Sequence, residues 1–344
     1  MSDKLQWGII GTGTIASELA DAIAESTTGE VLAVGSRASK TADEFADEYD
    51  IPRRYEGYDH LLDDNDVEVV YVAVPHPFHA EWAMAAARAG KHILVEKPIG
   101  MNQAEAQLMF DTARENDVFL MEAFMYRCHP QTKRIRQIVA DGVLGRVQLI
   151  RAAFSFRSGG DPKSRTLNPE LGGGGILDVG CYPVSGSRLV AGAAAGDGFA
   201  EPIEVNGCAH MGETGVDEWA SALLKFPNDI VAELTTGVRL SLPDGNSLKI
   251  YGTEGYLNVY NPWTPSRHNR DPVRMMLHQY AEEEPREIAV EAPKDLYTYE
   301  VDVVAEYIPN RQAPEMSWDD TLGNIRVLDI WREEIGLTYE CEKV

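Results

Sequence analysis

Leu5-Gln6-Trp7-Gly8-Ile9-Ile10, followed at once by Gly11-Thr12-Gly13-Thr14-Ile15-Ala16, is an apolar run, a glycine-punctuated turn and the opening of a helical pattern. In that order the glycine spacing has a physical meaning. Gly11 permits a tight turn, Gly13 lets the backbone approach a pyrophosphate, and small Ala16 lets the helix close on the strand. The free N–H groups and positive end of the helix favour an anion, by about 0.3–2 kcal/mol for the dipole alone. The stretch 11–16 is therefore the expected phosphate loop of a dinucleotide site.

Outward from that loop the pattern repeats. Residues 5–10, 31–34, 69–74, 92–95 and 118–121 form short apolar runs of the kind buried on both faces of a parallel sheet. Residues 15–24, 38–49, 79–89 and 104–116 carry apolar side chains at helical spacing between them. Beyond Tyr126 the rhythm changes to longer, partly alternating segments at 146–156, 218–226, 230–240 and 247–251, with turn chemistry at Pro227-Asn228-Asp229 and Gly252-Thr253-Glu254-Gly255. The expected fold is an α/β N-terminal Rossmann domain, a doubly wound parallel sheet, over 1–123. An α+β domain with a large, mostly antiparallel open sheet follows over 124–344, for substrate binding and oligomerisation. A closing helix at about 319–334 is expected to pack back on the first domain.

Composition excludes several classes. A formal charge of −24, with 55 acidic against 31 basic residues, leaves no basic excess for a nucleic-acid backbone and reads as a solvated acidic surface. No apolar run approaches the roughly 18 residues of a membrane span, and residues 1–6 lack the apolar core of a signal peptide. Cys128, Cys181, Cys208 and Cys341 are widely separated, without CxxC spacing, and are expected as free thiols in the cytoplasm. His76 and His79 lie only three residues apart in a proline-bracketed loop with no further ligand types beside them, so no metal site is expected.

The choice of nucleotide turns on the end of the second apolar run. An acid there would bond a ribose 2′-hydroxyl, whereas this chain has Ser36, Arg37, Ser39 and Lys40 and nothing acidic at the tip. Arg37 can bond a 2′-phosphate bidentately, Ser36 can donate to it and Lys40 adds charge, so NADP is expected over NAD.

Further stretches carry the chemistry. Glu96-Lys97-Pro98 places a lysine at the carboxyl end of a strand, where open α/β sheets bind ligands. Glu122-Ala123-Phe124-Met125-Tyr126-Arg127 follows the last parallel strand, and Gly172-Gly173-Gly174-Gly175 leads into Ile176 through Tyr182. Asp178 and Tyr182 are four apart and would share one face of a helix. With the GxGxxA loop, Pro75 to His79 and Tyr251 to Leu257, these stretches resemble the Gfo/Idh/MocA family of nicotinamide oxidoreductases over nearly the whole chain. The DxxxY pattern looks like the branch of glucose-fructose oxidoreductase, dimeric dihydrodiol dehydrogenase and NADP-dependent xylose dehydrogenase.

The resemblance implies a sugar or related alcohol as substrate, an aldose such as D-xylose or D-glucose first, with trans-dihydrodiols and anhydro-keto sugars next. It places Lys97 beside the nicotinamide and the reacting hydroxyl, with a cis bond before Pro98. Pro75, His76, His79 and Glu96 would line the cofactor. Tyr182 would exchange the hydroxyl proton. A free phenol ionises near about 10, and a nearby ammonium such as that of Lys97 lowers this by about 1–3 units. Asp178 would orient the substrate hydroxyl or hold Lys97, and Lys97 is itself an alternative proton carrier. Arg127 and Arg165 are candidate substrate contacts, an ion pair of Arg127 with Glu122 being the competing reading. A cofactor-binding sensor without turnover is the competing class, set against the retention of Lys97, Asp178 and Tyr182 together. NAD-dependent glycosidases are a third class. An open sheet face in the second domain would need covering, which points to a homodimer or homotetramer.

Overall fold

The computed structural model describes residues 4–242 and 245–342, so the outermost residues of both expected domains and Pro243-Asp244 lie outside the described residues. The chain divides into two compact units, 4–128 with 294–321, and 129–293 with 322–342.

The first unit alternates strand and helix: β1 (Leu5–Ile10), α1 (Thr14–Glu25), β2 (Gly29–Ser36), α2 (Ser39–Glu48), β3 (Arg53–Glu56), α3 (Tyr58–Leu62), β4 (Val69–Val72), α4 (His79–Arg88), β5 (His92–Glu96), α5 (Gln103–Glu115), β6 (Leu120–Ala123) and α6 (Met125–Cys128). The six strands are parallel, in the order β3-β2-β1-β4-β5-β6. The order reverses beside β1, which puts the switch point of the sheet at the carboxyl ends of β1 and β4. Val69, Val70, Tyr71 and Val72 are all fully buried, as strands covered on both faces must be.

Grouped by contact, the first unit runs past the expected boundary at 123 to Cys128. α6 starts directly after β6 and packs against α9 (Leu296–Tyr307), so it belongs to the first core. The chain comes back to that core through 294–321, a return the linear expectation left in the second domain. α9 lies on α1, where Asp302 accepts from the Ser26 hydroxyl at 2.8 Å and Glu25 accepts from Thr298 at 3.2 Å. The Trp318 indole donates to the Leu120 carbonyl at 2.9 Å and stacks on Phe110. The closing helix is α10 (Trp318–Glu334). Only its first four residues group with the first unit, and Leu322 onward belongs to the second.

The second unit holds α7 (Pro130–Ala140), β7 (Val147–Ser155), α8 (Cys181–Ala195), β8 (Glu204–Met211), β9 (Asp217–Lys225), β10 (Val231–Gly237), β11 (Ser247–Gly252), β12 (Gly255–Tyr260), β13 (Val273–Gln279) and β14 (Arg286–Val290). These eight strands form one sheet, β14-β13-β12-β11-β7-β10-β9-β8, antiparallel except where β7 and β10 run together. α8 covers one face at β7 and β10 and is buried from Cys181 through Ala193. On β9 the burial alternates, so Ala220, Ala222 and Leu224 face the helix layer while Trp219 and Leu223 lie on the exposed face. All four cysteines are free thiols. None of the described helices is long and apolar enough to cross a membrane.

Candidate active site

The turn after β1 is built around its glycines. Gly11 has φ +107°, and a Cβ there would sit 2.5 Å from the Ala73 carbonyl oxygen, so only glycine fits between β1 and β4. Gly13 is the reverse case: a Cβ on it would meet nothing within 4 Å. Gly13 caps α1 without a side chain, and the first turn of α1 holds no acid. The result is an open helix N-terminus bordered by Thr12 and Thr14, a cradle that a pyrophosphate fits. Ala16 is fully buried beneath it.

At the tip of β2, Ser36 is buried with its hydroxyl 2.6 Å from that of Thr41, whereas Arg37 and Lys40 are exposed. Lys40 pairs loosely with Glu44 at 3.7 Å. Arg37 lies close enough to Tyr58 for its charge to oppose the rise that burial imposes on that phenol. Residues 34–41 carry no carboxylate, although Glu56 of β3 lies in register with Ser36, and the donors there fit a 2′-phosphate.

Lys97 follows β5 on a cis peptide bond to Pro98, as the resemblance implied. Buried groups clamp this turn from several sides. The His79 ring, fully buried, spans the Pro98 carbonyl at Nδ1 and the Val74 carbonyl at Nε2, each at 2.8 Å. Carbonyls only accept, so a neutral ring donates to one of the two and lies against the other. Glu122 accepts from the Ile99 N–H at 2.9 Å. Glu96 accepts from the Tyr71 hydroxyl and from the Lys97 N–H at 3.3 Å. Burial pushes Glu122 up to about 8 and raises Glu300, on α9, where the charge of Glu96 adds to the effect. The loop residue Pro75 is half-buried, and His76 is buried edge-on to His79. No group of three or more His, Cys, Asp or Glu is placed to hold a metal among the described residues.

Arg127 is buried on α6 and donates to Asp320 at 2.5 Å. Burial lowers its pKa, but the charge and hydrogen bond of Asp320 together with Tyr126 outweigh that and hold it above the ordinary guanidinium value. The ion-pair reading of Arg127 thus has a partner, but it is Asp320 in the first turn of α10 rather than Glu122.

In the second unit the structure brings two expected residues together. Arg165 donates to the buried Asp178 carboxylate at 2.9 Å, from a guanidinium that is half exposed. Asp178 lies in a π-helical turn, Ile176–Gly180, which runs directly into α8. Such turns occur disproportionately at functional sites. Tyr182, in the first turn of α8, is buried against Phe154 of β7, with ring centroids 5.1 Å apart, and against Trp263 at 6.1 Å. His129 caps α7: its Nδ1 accepts from the Gln131 N–H at 3.0 Å while Nε2 faces the Ser266 hydroxyl at 3.2 Å. Burial pushes His129 down to about 4 and keeps it neutral. Lys97 belongs to the first unit, and Asp178 and Tyr182 to the second.

Sequence reasoning missed Phe154, Trp263 and Asp320, since none stands in a motif and each meets its partner across a long stretch of chain.

A family model described as an oxidoreductase family with an NAD-binding Rossmann fold matches residues 5–124, and the Gfo/Idh/MocA C-terminal domain matches 132–258. A D-xylose 1-dehydrogenase (NADP(+)) of Haloferax volcanii is 31% identical over 98% of this chain and 100% of its own length. The trans-1,2-dihydrobenzene-1,2-diol dehydrogenase of Homo sapiens is 36% identical over 76% of each chain. Among solved structures, a 3-ketoreductase from Actinomadura kijaniata in complex with NADP and TDP-benzene superposes with a TM-score of 0.85 at 27% identity, over 96% of this chain and 98% of that one.

Proposed function

Because the chain belongs to the Gfo/Idh/MocA family of oxidoreductases, we propose that it is an NADP-dependent dehydrogenase or reductase acting on the CH–OH group of a sugar, an aldose such as D-xylose or D-glucose first. One observation carries the reading. An open anion cradle at the end of β1 and a lysine on a clamped turn at the end of β5 lie along the same carboxyl edge of one parallel sheet.

In this reading Thr12 to Ile15 hold the pyrophosphate on the end of α1, and Arg37, Ser36 and Lys40 receive the 2′-phosphate. When bound, the nicotinamide accepts or gives the hydride. Lys97, held by His79, Glu122 and Glu96, sets a positive charge beside the reacting oxygen, and Tyr182 takes or returns the hydroxyl proton. Asp178, tied to Arg165, orients the sugar hydroxyls. Support for NADP comes from the acid-free tip of β2 and from two relatives, one named for NADP and one solved with it. The aromatic wall of Phe154 and Trp263 about Tyr182 favours trans-dihydrodiols as the second substrate class, in keeping with the human relative. A second copy of the chain on the exposed sheet face, where Trp219, Leu223 and Tyr260 are uncovered, makes a homodimer or homotetramer. The free cysteines favour the cytoplasm.

The test is a panel of aldoses, polyols and trans-dihydrodiols assayed with NADP and with NAD by absorbance of the reduced nicotinamide. The reading expects an aldose to reduce NADP with a kcat/KM about 10-fold or more above that with NAD. A preference for NAD overturns the cofactor assignment, and activity confined to dihydrodiols exchanges the two substrate classes.

A further inference from the structure

Within the glycine run 172–175, Gly173 to Gly175 are held by three side chains from distant parts of the chain. Gly174 has φ +119°, and a Cβ on it would lie 2.3 Å from Asp217 Oδ1 and 3.2 Å from the Tyr339 hydroxyl. A Cβ on Gly175 would lie 3.1 Å from Asp217 Oδ2 and 3.0 Å from the Gly237 Cα. Asp217, the first residue of β9 and fully buried, accepts from the Ile176 N–H at 2.8 Å. The Tyr339 hydroxyl donates to the Gly173 carbonyl, and Thr236 of β10 donates to the Gly175 carbonyl at 3.0 Å. Ile176 is the first residue of the π-helical turn that holds Asp178, and α8 with Tyr182 follows without a break.

We propose that Asp217 is a positioning residue for the reaction: its carboxylate, with the Tyr339 hydroxyl, fixes the glycine run in the one course from which the turn bearing Asp178 and Tyr182 can start. The proposal rests on the reading that Asp178 and Tyr182 act on the substrate. Its geometry is specific. The carboxylate receives a backbone N–H at the first residue of the π-turn, where a neighbouring apolar residue would leave that donor buried without an acceptor. The glycines leave no Cβ in its way. Burying an acid here is costly, and burial pushes its carboxyl up to about 7 while the Ile176 and Gly175 N–H groups and the charge of Arg332 draw it back.

Asp217→Ala and Asp217→Asn in the full chain test this, read by hydrogen–deuterium exchange, NADPH binding and steady-state kinetics. For Asp217→Ala we expect exchange in 172–180 to rise about 10-fold or more, with the 11–16 loop unchanged and the NADPH Kd within about twofold. The same variant should lose about 10- to 100-fold in kcat with little change in KM, because a misplaced proton carrier costs turnover more than binding. Asparagine retains one acceptor for the Ile176 N–H and should recover most of both effects. Unchanged exchange in 172–180, a rise spread evenly over the chain, or undiminished kcat with a loosened segment overturns the proposal. Should the wild type reduce no nicotinamide with any substrate offered, the functional reading fails by itself, and the exchange pattern still decides whether Asp217 holds the turn.

Discussion

Two glycine-rich stretches, one in each unit, use glycine for opposite ends. Around Gly13 the missing side chain leaves space that no atom of the described residues fills, at a start of α1 that no side chain caps. Around Gly173 to Gly175 the missing side chains make way for the protein itself, and Asp217, Gly237 and backbone from 165 and 168 occupy what a Cβ would need. The first stretch is shaped for a ligand and the second for its own neighbours. A glycine motif alone therefore does not say which it is; the distance from its absent Cβ to the nearest atom does.

The contrast can be tested experimentally, beside the two residues proposed to act on the substrate, for which the largest effect is expected. Lys97→Ala and Tyr182→Phe should each lower kcat/KM by about 10²- to 10⁴-fold, measured by steady-state turnover, with NADPH affinity changed by less than about threefold. Next comes pH. Asp217 at about 7 and Glu122 at about 8 are both harder to ionise folded than unfolded. Their contribution to stability is full below about pH 4, where the unfolded carboxyls also hold their protons. It is lost as pH rises toward about 8, by up to about 4 kcal/mol for Asp217 alone. Urea unfolding at a series of pH values should show that decline, and Asp217→Asn should flatten it.

Gly174→Ala should cost about 2–4 kcal/mol in the same unfolding assay, because the residue combines a positive φ with a buried collision. Gly13→Val should do the opposite, leaving the unfolding midpoint nearly unchanged while raising the NADPH Kd about 10- to 100-fold. If the two variants exchanged phenotypes, the comparison would be wrong. The smallest effect is at the tip of β2, where Arg37→Ala should narrow the preference for NADP over NAD by about 10-fold, read as the ratio of the two kcat/KM values.

Much of the first unit was legible because β1, β2, β4, β5 and β6 each carry a short, largely buried apolar run. β3 was not, since Arg53-Arg54-Tyr55-Glu56 is a half-exposed edge with no apolar pattern, and α3 is a single turn. In the second unit β8 escaped because Glu204 to Met211 alternates exposed and half-buried residues with none buried. The return of α9 to the first core was invisible for another reason: it depends on Asp302 meeting Ser26 and on Trp318 meeting Leu120, and no local period encodes either contact.

The candidate site divides the same way. Gly11 to Ala16, Ser36-Arg37 and Lys97 at its strand end were readable from their own stretches, whereas the Asp178, Tyr182 pair was singled out by the resemblance to the family. Their supports were not. His79 as a clamp on Pro98, Asp320 as the partner of Arg127 and Asp217 behind the glycine run exist only once the chain has closed.

The most direct measurement of the central claim is the rate of reduced nicotinamide formation from NADP and a panel of aldoses, polyols and trans-dihydrodiols, for the wild type beside Tyr182→Phe. The account predicts turnover of an aldose by the wild type and its loss by about 100-fold or more in the variant. No reduction with any substrate, or undiminished turnover in Tyr182→Phe, would contradict it.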